Sequence, residues 1–483
     1  MTFTTAADFD QAYSRVQETF ASGVTKDKQW RRQQLKRTWW MIEDNRDRLC
    51  AALYEDLHRH QQESIMADIA MLQQDILHTL ENLDSWTKDE LPTRWDPVNF
   101  LGNTRVRKEP KGVALIIGAW NFPILLTLQP MVAAIAAGCA IILKPSDLAI
   151  ACQDLLAEIV PQYLDENAIR CVTAGAQEMQ HILDQPFDHI FYTGSGTVGK
   201  IIYAAAAKHL TPVTLELGGQ APAIVTPTAD IDISAKHIAA TKFQNAGQIC
   251  LNVNHVIVDP KVRDAFVEKL AHHFDTFLGG RENRPEYYTH IINERNFDRL
   301  DRLLQETSGQ IVYGGYRDRT TRFFAPTIVT GVNINDSLFS EEIFGPILPI
   351  IDADLDTAFS ITHNTGRPLG IYAFMNSEEE KNRLLNETQS GGVTFNDCML
   401  HVLGRDAPFG GTGASGFGYY HGPNGVREFS HLRTHINAVP TWIEKFVDAR
   451  YPPYSVEKAN TLAPRVIPSF DRDDGAKAHP QVS

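Results

Sequence analysis

His189-Ile190-Phe191-Tyr192-Thr193-Gly194-Ser195-Gly196-Thr197-Val198-Gly199 reads as a buried strand that stops at a glycine-rich turn and opens a helix, Val198 to Ala207. A G-x-G-x-x-G run in that setting collects backbone N–H groups at a helix N-terminus, where a pyrophosphate binds well. The same alternation continues upstream. Val113-Ala114-Leu115-Ile116-Ile117 reads as a strand, Leu128 to Gly138 as a helix, Ala140 to Leu143 as a strand, Leu155 to Leu164 as a helix and Ile169 to Val172 as a strand. Short apolar strands alternating with helices predict an α/β fold with a parallel sheet covered on both faces. A second α/β region is predicted from about Gln220 to Gly418, with strands at Val256 to Val258, Pro346 to Ile350 and Gly392 to Phe395.

The flanks differ in texture. Before residue 85, apolar residues such as Leu49, Leu53 and Leu57, then Ile65, Ile69, Leu72 and Ile76, recur at three- and four-residue steps and predict long amphipathic helices. Leu91 to Val106 carries Pro92, Pro97 and Gly102 and reads as an extended ribbon, and the polar tail from about Pro464 is expected to be loosely held. A chain of 483 residues is long enough for two or three domains. Its formal net charge of -14 argues against nonspecific binding to nucleic acid or anionic lipid. The six cysteines are scattered, with no C-x-x-C and no zinc spacing, which fits free thiols, no metal and a reducing, cytoplasmic setting. No signal-peptide core is visible, and the longest apolar run, Met131 to Leu143, is too short to span a bilayer.

Chemistry enters with Gln244-Asn245-Ala246-Gly247-Gln248-Ile249-Cys250. Cysteine is well suited to attack a carbonyl carbon, and Glu216, 34 positions upstream, is a plausible base for activating water. Glu216 also lies 22 residues after Gly194, where a dinucleotide fingerprint wants a ribose-binding acid. Lys144 and Asp147, past a strand end, are placed to hold ribose hydroxyls, and Asn121 to offer an amide N–H to an oxyanion. Each alone has an ordinary reading as loop, cap or turn.

Taken in order, Trp120-Asn121-Phe122-Pro123, Lys144-Pro145-Ser146-Asp147, Tyr192-Thr193-Gly194-Ser195, Leu215-Glu216-Leu217-Gly218-Gly219, Gly247-Gln248-Ile249-Cys250, Glu342-Ile343-Phe344-Gly345-Pro346 and Pro408-Phe409-Gly410-Gly411 resemble the aldehyde dehydrogenase superfamily over nearly the whole chain. Tyr420-His421-Gly422, Phe429-Ser430-His431 and Arg450 to Tyr454 look like its class 3 branch of fatty and aromatic aldehyde dehydrogenases. The resemblance implies a Rossmann-like cofactor domain (1–85 and 108–219), an α/β catalytic domain (220–420), an oligomerisation ribbon and C-terminal segment (86–107 and 421–460, with a segment near His431 to Val439 joining the ribbon) and a polar tail (461–483). A homodimer is the class 3 expectation; some members of that branch end in a membrane-anchoring helix, and none is expected in this chain.

By the same resemblance Cys250 is the nucleophile, Glu216 the base for water rather than a ribose ligand, and Asn121 an oxyanion donor. Lys144 and Asp147 fall to the adenosine ribose, Gly194 and Ser195 to the pyrophosphate, Val198 to the adenine side, Glu342 to the nicotinamide ribose, and Trp120, Leu217 and Phe344 to the cofactor cleft. Asp147, shorter than the glutamate common at this place, favours NAD and leaves NADP open. Phe122, Phe243, Ile249 and Leu251 suggest an apolar funnel for a bulky aromatic, long-chain or polyene aldehyde. Gln220 stands where the family usually has lysine. Two rivals are a CoA-acylating dehydrogenase and a non-enzymatic relative; the retained Glu216 argues against the first, and the intact Cys250, Glu216 and Asn121 against the second.

Overall fold

Strands that are apolar at every position can only lie between two covering layers. Val113–Ile117, Ala140–Lys144 and His189–Thr193 are buried throughout and form the centre of a six-stranded sheet. Its order is Gly416–Phe417, Val213–Glu216, His189–Thr193, Val113–Ile117, Ala140–Lys144, Ile169–Cys171. Five strands are parallel; Gly416–Phe417 arrives from beyond the second α/β region and pairs antiparallel with Val213–Glu216. This register sets Glu216 at the carboxyl end of its strand, between Thr193 and Gly416. The computed structural model describes residues 3–93, 95–438, 440–444 and 448–462.

The second sheet has seven strands in the order Gly392–Phe395, Gly370–Phe374, Pro222–Val225, His255–Val258, Ile347–Asp352, Thr327–Thr330, Gln310–Tyr313. All pairs are parallel except the last. Helix starts follow side-chain caps the periodicity did not locate. Ser195 accepts from Val198 N, so that helix begins at Gly196, and Asp230 caps Ile231–Phe243.

The N-terminal helices Ala6–Ser22, Lys28–Asp44, Arg46–Leu57 and Ala70–Trp86 match the amphipathic pattern, with Thr5 and Asp27 as caps. One stretch departs from it. Ile65–Ile69 winds as a π-turn, with Ala70 N–H donating to Ile65 O. Such turns add a residue per turn and re-aim side chains, and they recur at functional sites.

The chain divides into two compact units, Met1–Lys88 with Lys108–Leu432, and Asp89–Arg107 with Arg433–Ser483. In the smaller unit the ribbon expected over Leu91 to Val106 is not extended throughout. Pro97–Leu101 is a short helix because Asp96 accepts from Asn99 N and Pro97 occupies the first turn, where its missing N–H costs nothing. Arg105–Pro110 and Ser430–His435 do pair as a two-stranded sheet. Val439 and the tail from 463 to 483 lie outside the described residues. Among the described residues no helix is long and apolar enough to cross a membrane.

Candidate active site

Cys250 follows a kinked loop. Asn245 and Ala246 have φ of 51° and 48°, a left-handed conformation that non-glycine residues adopt only when their surroundings impose it. Here buried amides impose it. Gln248, fully buried, donates from Nε2 to Asn245 O and His290 O, both at 3.0 Å, and accepts from Ile292 N at 3.0 Å. Gly247 leaves no alternative, since a Cβ there would lie 2.2 Å from Gly345 O. Cys250 thus stands half-buried on a braced turn.

Glu216 shares a cavity of about 340 Å³ with it. Both Glu216 carboxyl oxygens are buried with no hydrogen-bond partner. Burial first, and Glu428 second, hold this carboxyl well above the usual carboxylate range. Burial also pushes the Cys250 thiol up to about 12, with Glu342 and then Glu216 adding to the shift, while the N–H groups of Leu251 and Cys250 oppose it. Burial thus favours the neutral form of both groups. Tyr420, part of the Tyr420-His421-Gly422 run, lines the same cavity. Its hydroxyl is held strongly protonated by burial and then by Glu216, Cys250 and Asp75.

Asn121 is not among the residues that line the cavity; it is 3% exposed, with Nδ2 donating to Gln248 O at 3.1 Å. That bond ties the Asn121 loop to the Cys250 loop and leaves the second amide N–H for another acceptor. Phe122, Ile249 and Leu251 do form the wall. Phe243 does not. It ends the helix Ile231–Phe243 and turns its ring onto Phe277 and Tyr288, at centroid distances of 5.8 and 4.6 Å. The walls that sequence reading overlooked include Met66 and Met71 from the N-terminal helices and Met399, Leu400 and Leu403 from the turn after Gly392–Phe395. The run Met399-Leu400-His401-Val402-Leu403, too apolar for an ordinary loop, was the available signal.

At the carboxyl ends of the parallel strands, Lys144 Nζ meets Asp147 Oδ1 at 2.7 Å. Ser195 Oγ caps its helix by accepting from Val198 N at 3.4 Å, which leaves the hydroxyl proton to donate. The three glycines of the turn differ in purpose. A Cβ at Gly194 would strike the Tyr192 hydroxyl at 2.3 Å, one at Gly199 would press Leu217 at 3.1 Å, and one at Gly196 would meet nothing within 4 Å. Val198 is 43% exposed at the rim. Trp120 and Phe344 meet edge to face at 5.2 Å, and Phe344 itself sits at φ 46°. Glu342 is pushed up to about 7 by burial, against the pull of the Gly219 N–H, Arg299 and Lys242. Lys242, 1% exposed and lowered to about 7 by burial, went unnoticed in the sequence. Gln220 Nε2 donates to Phe339 O at 3.0 Å, a neutral structural contact.

These groups fit a nicotinamide dinucleotide. The cradle has a helix N-terminus, an ammonium–carboxylate pair beyond one strand, an orphaned buried Thr193 hydroxyl and a buried acid at Glu342.

The sequence profile of the aldehyde dehydrogenase family matches residues 1–435. The chain is 41% identical over 441 residues to a dimeric NADP-preferring aldehyde dehydrogenase of Rattus norvegicus, covering 91% of this chain and 96% of that one. It is 40% identical over 469 residues to a beta-apo-4'-carotenal oxygenase of Neurospora crassa, covering 95% and 86%. Among solved structures, the substrate-bound state of Staphylococcus aureus AldH aligns with a TM-score of 0.89 at 34% identity, over 94% of this chain and 99% of that one.

Proposed function

The chain belongs to the aldehyde dehydrogenase family and resembles its class 3 branch, and from that premise we propose that it oxidises a bulky apolar aldehyde to the acid through a thioester on Cys250. The observation that carries this reading is the pairing of Cys250 with the unpartnered Glu216 across one apolar cavity.

The Cys250 thiol gives its proton to water, and the thiolate adds to the aldehyde carbonyl. The free amide N–H of Asn121 and the Cys250 backbone N–H bear the oxyanion, the kind of preorganised donor whose loss costs about 3 kcal/mol of barrier. NAD or NADP, when bound, accepts the hydride. The thioester left on Cys250 carries a good leaving group, and Glu216, deprotonated at that stage, takes a proton from the attacking water. Burial raises its proton affinity, which makes its carboxylate a stronger base than an exposed glutamate.

Substrate class follows from the walls. Phe122, Ile249, Leu251, Met71, Leu400 and Leu403 make the lining mainly apolar, with a few polar groups such as Gln129 and Gln244. A polyene or long-chain aldehyde gains there, and the Neurospora relative's name points the same way. The Lys144–Asp147 pair places opposite charges together at the ribose end. Discrimination between the two dinucleotides is then modest, with NAD ahead because the carboxylate repels a 2′-phosphate. The exposed aromatics of the smaller unit and the dimeric rat relative support a homodimer.

The test is nicotinamide reduction with NAD and with NADP, without CoA, across aldehydes from acetaldehyde to benzaldehydes, long-chain and polyene compounds. The expected result is turnover that rises with apolar size and vanishes in Cys250→Ala. Equal rates on acetaldehyde and decanal would overturn the substrate class, and a requirement for CoA would overturn the hydrolytic route.

A further inference from the structure

Behind the cavity lies a buried cation that the reaction as described does not use. Arg59 and Asp68 are both 0% exposed, and Arg59 Nη1 meets Asp68 Oδ2 at 2.5 Å. Arg59 stands between the helices Arg46–Leu57 and Gln61–Ser64, and Asp68 lies in the π-turn Ile65–Ile69. Its remaining bonds reach far along the chain. Nε and Nη2 both donate to Asn245 Oδ1, at 3.1 and 2.7 Å. Nη2 also donates to the carbonyl of Asn121. The guanidinium plane lies 4.7 Å from the centre of the Phe122 ring.

The partners close the circuit between the two loops that carry the chemistry. Asn245 Nδ2 donates to Asn121 O at 3.1 Å and to Gln248 O at 2.9 Å. Asn121 Nδ2 donates to the same Gln248 O. Glu63 accepts the backbone N–H of Asn245 at 2.6 Å, holding that residue at positive φ. Asp68 Oδ1 accepts from Leu125 N at 2.7 Å and so anchors the chain just past Phe122. A cation present only to neutralise Asp68 would have no reason to send Nε and Nη2 to Asn245 and Asn121. A guanidinium delivers several fixed donors in one plane; an ammonium is a point charge that cannot reproduce the fork.

We propose that Arg59, seated by Asp68, is a positioning residue that sets the Asn121 amide and the Cys250 sulfur at the separation needed for thiohemiacetal formation. It touches neither substrate nor sulfur and acts through Asn245 and Asn121. The inference rests on the roles given above to Cys250 and Asn121. Placement matters because a misplacement of about 1 Å in a reacting constellation costs about 100-fold in rate. Sequence patterning carried a trace of this. Asp68 falls within the apolar stripe Ile65, Ile69, Leu72, Ile76, where an acid has no place unless it is paired.

The experiment uses the full chain with NAD and decanal and measures the pre-steady-state burst of nicotinamide reduction, NAD affinity by fluorescence titration, and Tm. The variants are Arg59→Lys, Asn121→Ala and the two combined. Arg59→Lys keeps the charge for Asp68 and loses the fork. The expected result is a burst slowed about 10-fold or more with NAD affinity unchanged. Asn121→Ala alone slows it roughly 100-fold, and the double variant is no slower than Asn121→Ala, since both act on one oxyanion contact. A wild-type burst in Arg59→Lys overturns the proposal, and so does a double variant whose losses multiply. A wild-type burst in Asn121→Ala instead overturns the oxyanion role on which the proposal rests. If Arg59→Lys does not fold, Asn245→Asp replaces it, because it keeps the acceptor for Arg59 and removes both donors. Failure of both to fold makes the group purely structural and overturns the proposal.

Discussion

Glu216 shows how one side chain's setting determines its task. A carboxyl with no partner, buried beside an acidic neighbour, binds its proton more tightly in the folded chain than in the unfolded one. Its raised pKa means the folded state retains a proton that the unfolded state releases, so stability from this group is present below the ordinary glutamate pKa and is lost as pH rises. Glu216→Gln removes that dependence. The difference in Tm between variant and wild type should therefore move in the variant's favour from pH 5 to pH 9, and a difference constant with pH would refute it. The same variant should still give a hydride burst but turn over about 100-fold more slowly or worse, stalled at the thioester. Asp147 offers a second test at one residue. With its carboxylate removed in Asp147→Ala, Lys144 faces the ribose end unpaired, and the ratio of kcat/KM for NADP to that for NAD should rise about 10-fold, the worth of roughly 1.4 kcal/mol. An unchanged ratio would place the 2′ group elsewhere.

The two-residue strand Gly416–Phe417 supports the site as an element. Gly416 pairs with Glu216 across the sheet edge and holds φ at 117°. A Cβ there would come within 1.9 Å of Leu215 O. Gly416→Ala therefore strains the backbone and pushes the strand off its partner. We expect a loss of about 1–3 kcal/mol in stability together with a fall in kcat, because the strand carrying Glu216, the proposed base, loses its edge. Urea unfolding and steady-state rates would check both, and a variant unchanged in either would show that the strand bears no load. The π-turn Ile65–Ile69 is the other element of this kind, since it faces Ala67 to the cavity and Asp68 to Arg59.

For the molecule as a whole, the smaller unit carries large apolar side chains in the open. Trp95 is 94% exposed, Phe100 71% and Trp442 70%. Aromatic surface of that extent is what an oligomer interface covers, and the second copy of the chain is the occupant proposed here. Replacing Trp95 and Phe100 by glutamate should lower the sedimenting mass from dimer to monomer at micromolar concentration. A dimer that persists would locate the interface elsewhere. The cavity belongs wholly to the larger unit, and its Cys250 should remain reactive in the monomer.

Hydrophobic period, glycine spacing and the order of short runs are local properties of a chain. For that reason the sequence alone determined the α/β class, the central strands from Val113 to Thr193, the glycine-rich turn at Gly194 and the candidacy of Cys250, Glu216 and Asn121. Facing and protonation are not local. Phe243 reads as a wall residue until helix packing turns it onto Tyr288. Ser195 reads as a phosphate ligand alone until its oxygen is also seen to cap a helix. Arg59 and Asn245, 186 positions apart, meet only when two sheets and a helical layer bring them together. Folding decided these, because burial, and the pairing of charges that burial demands, sum contacts from segments that no single stretch contains.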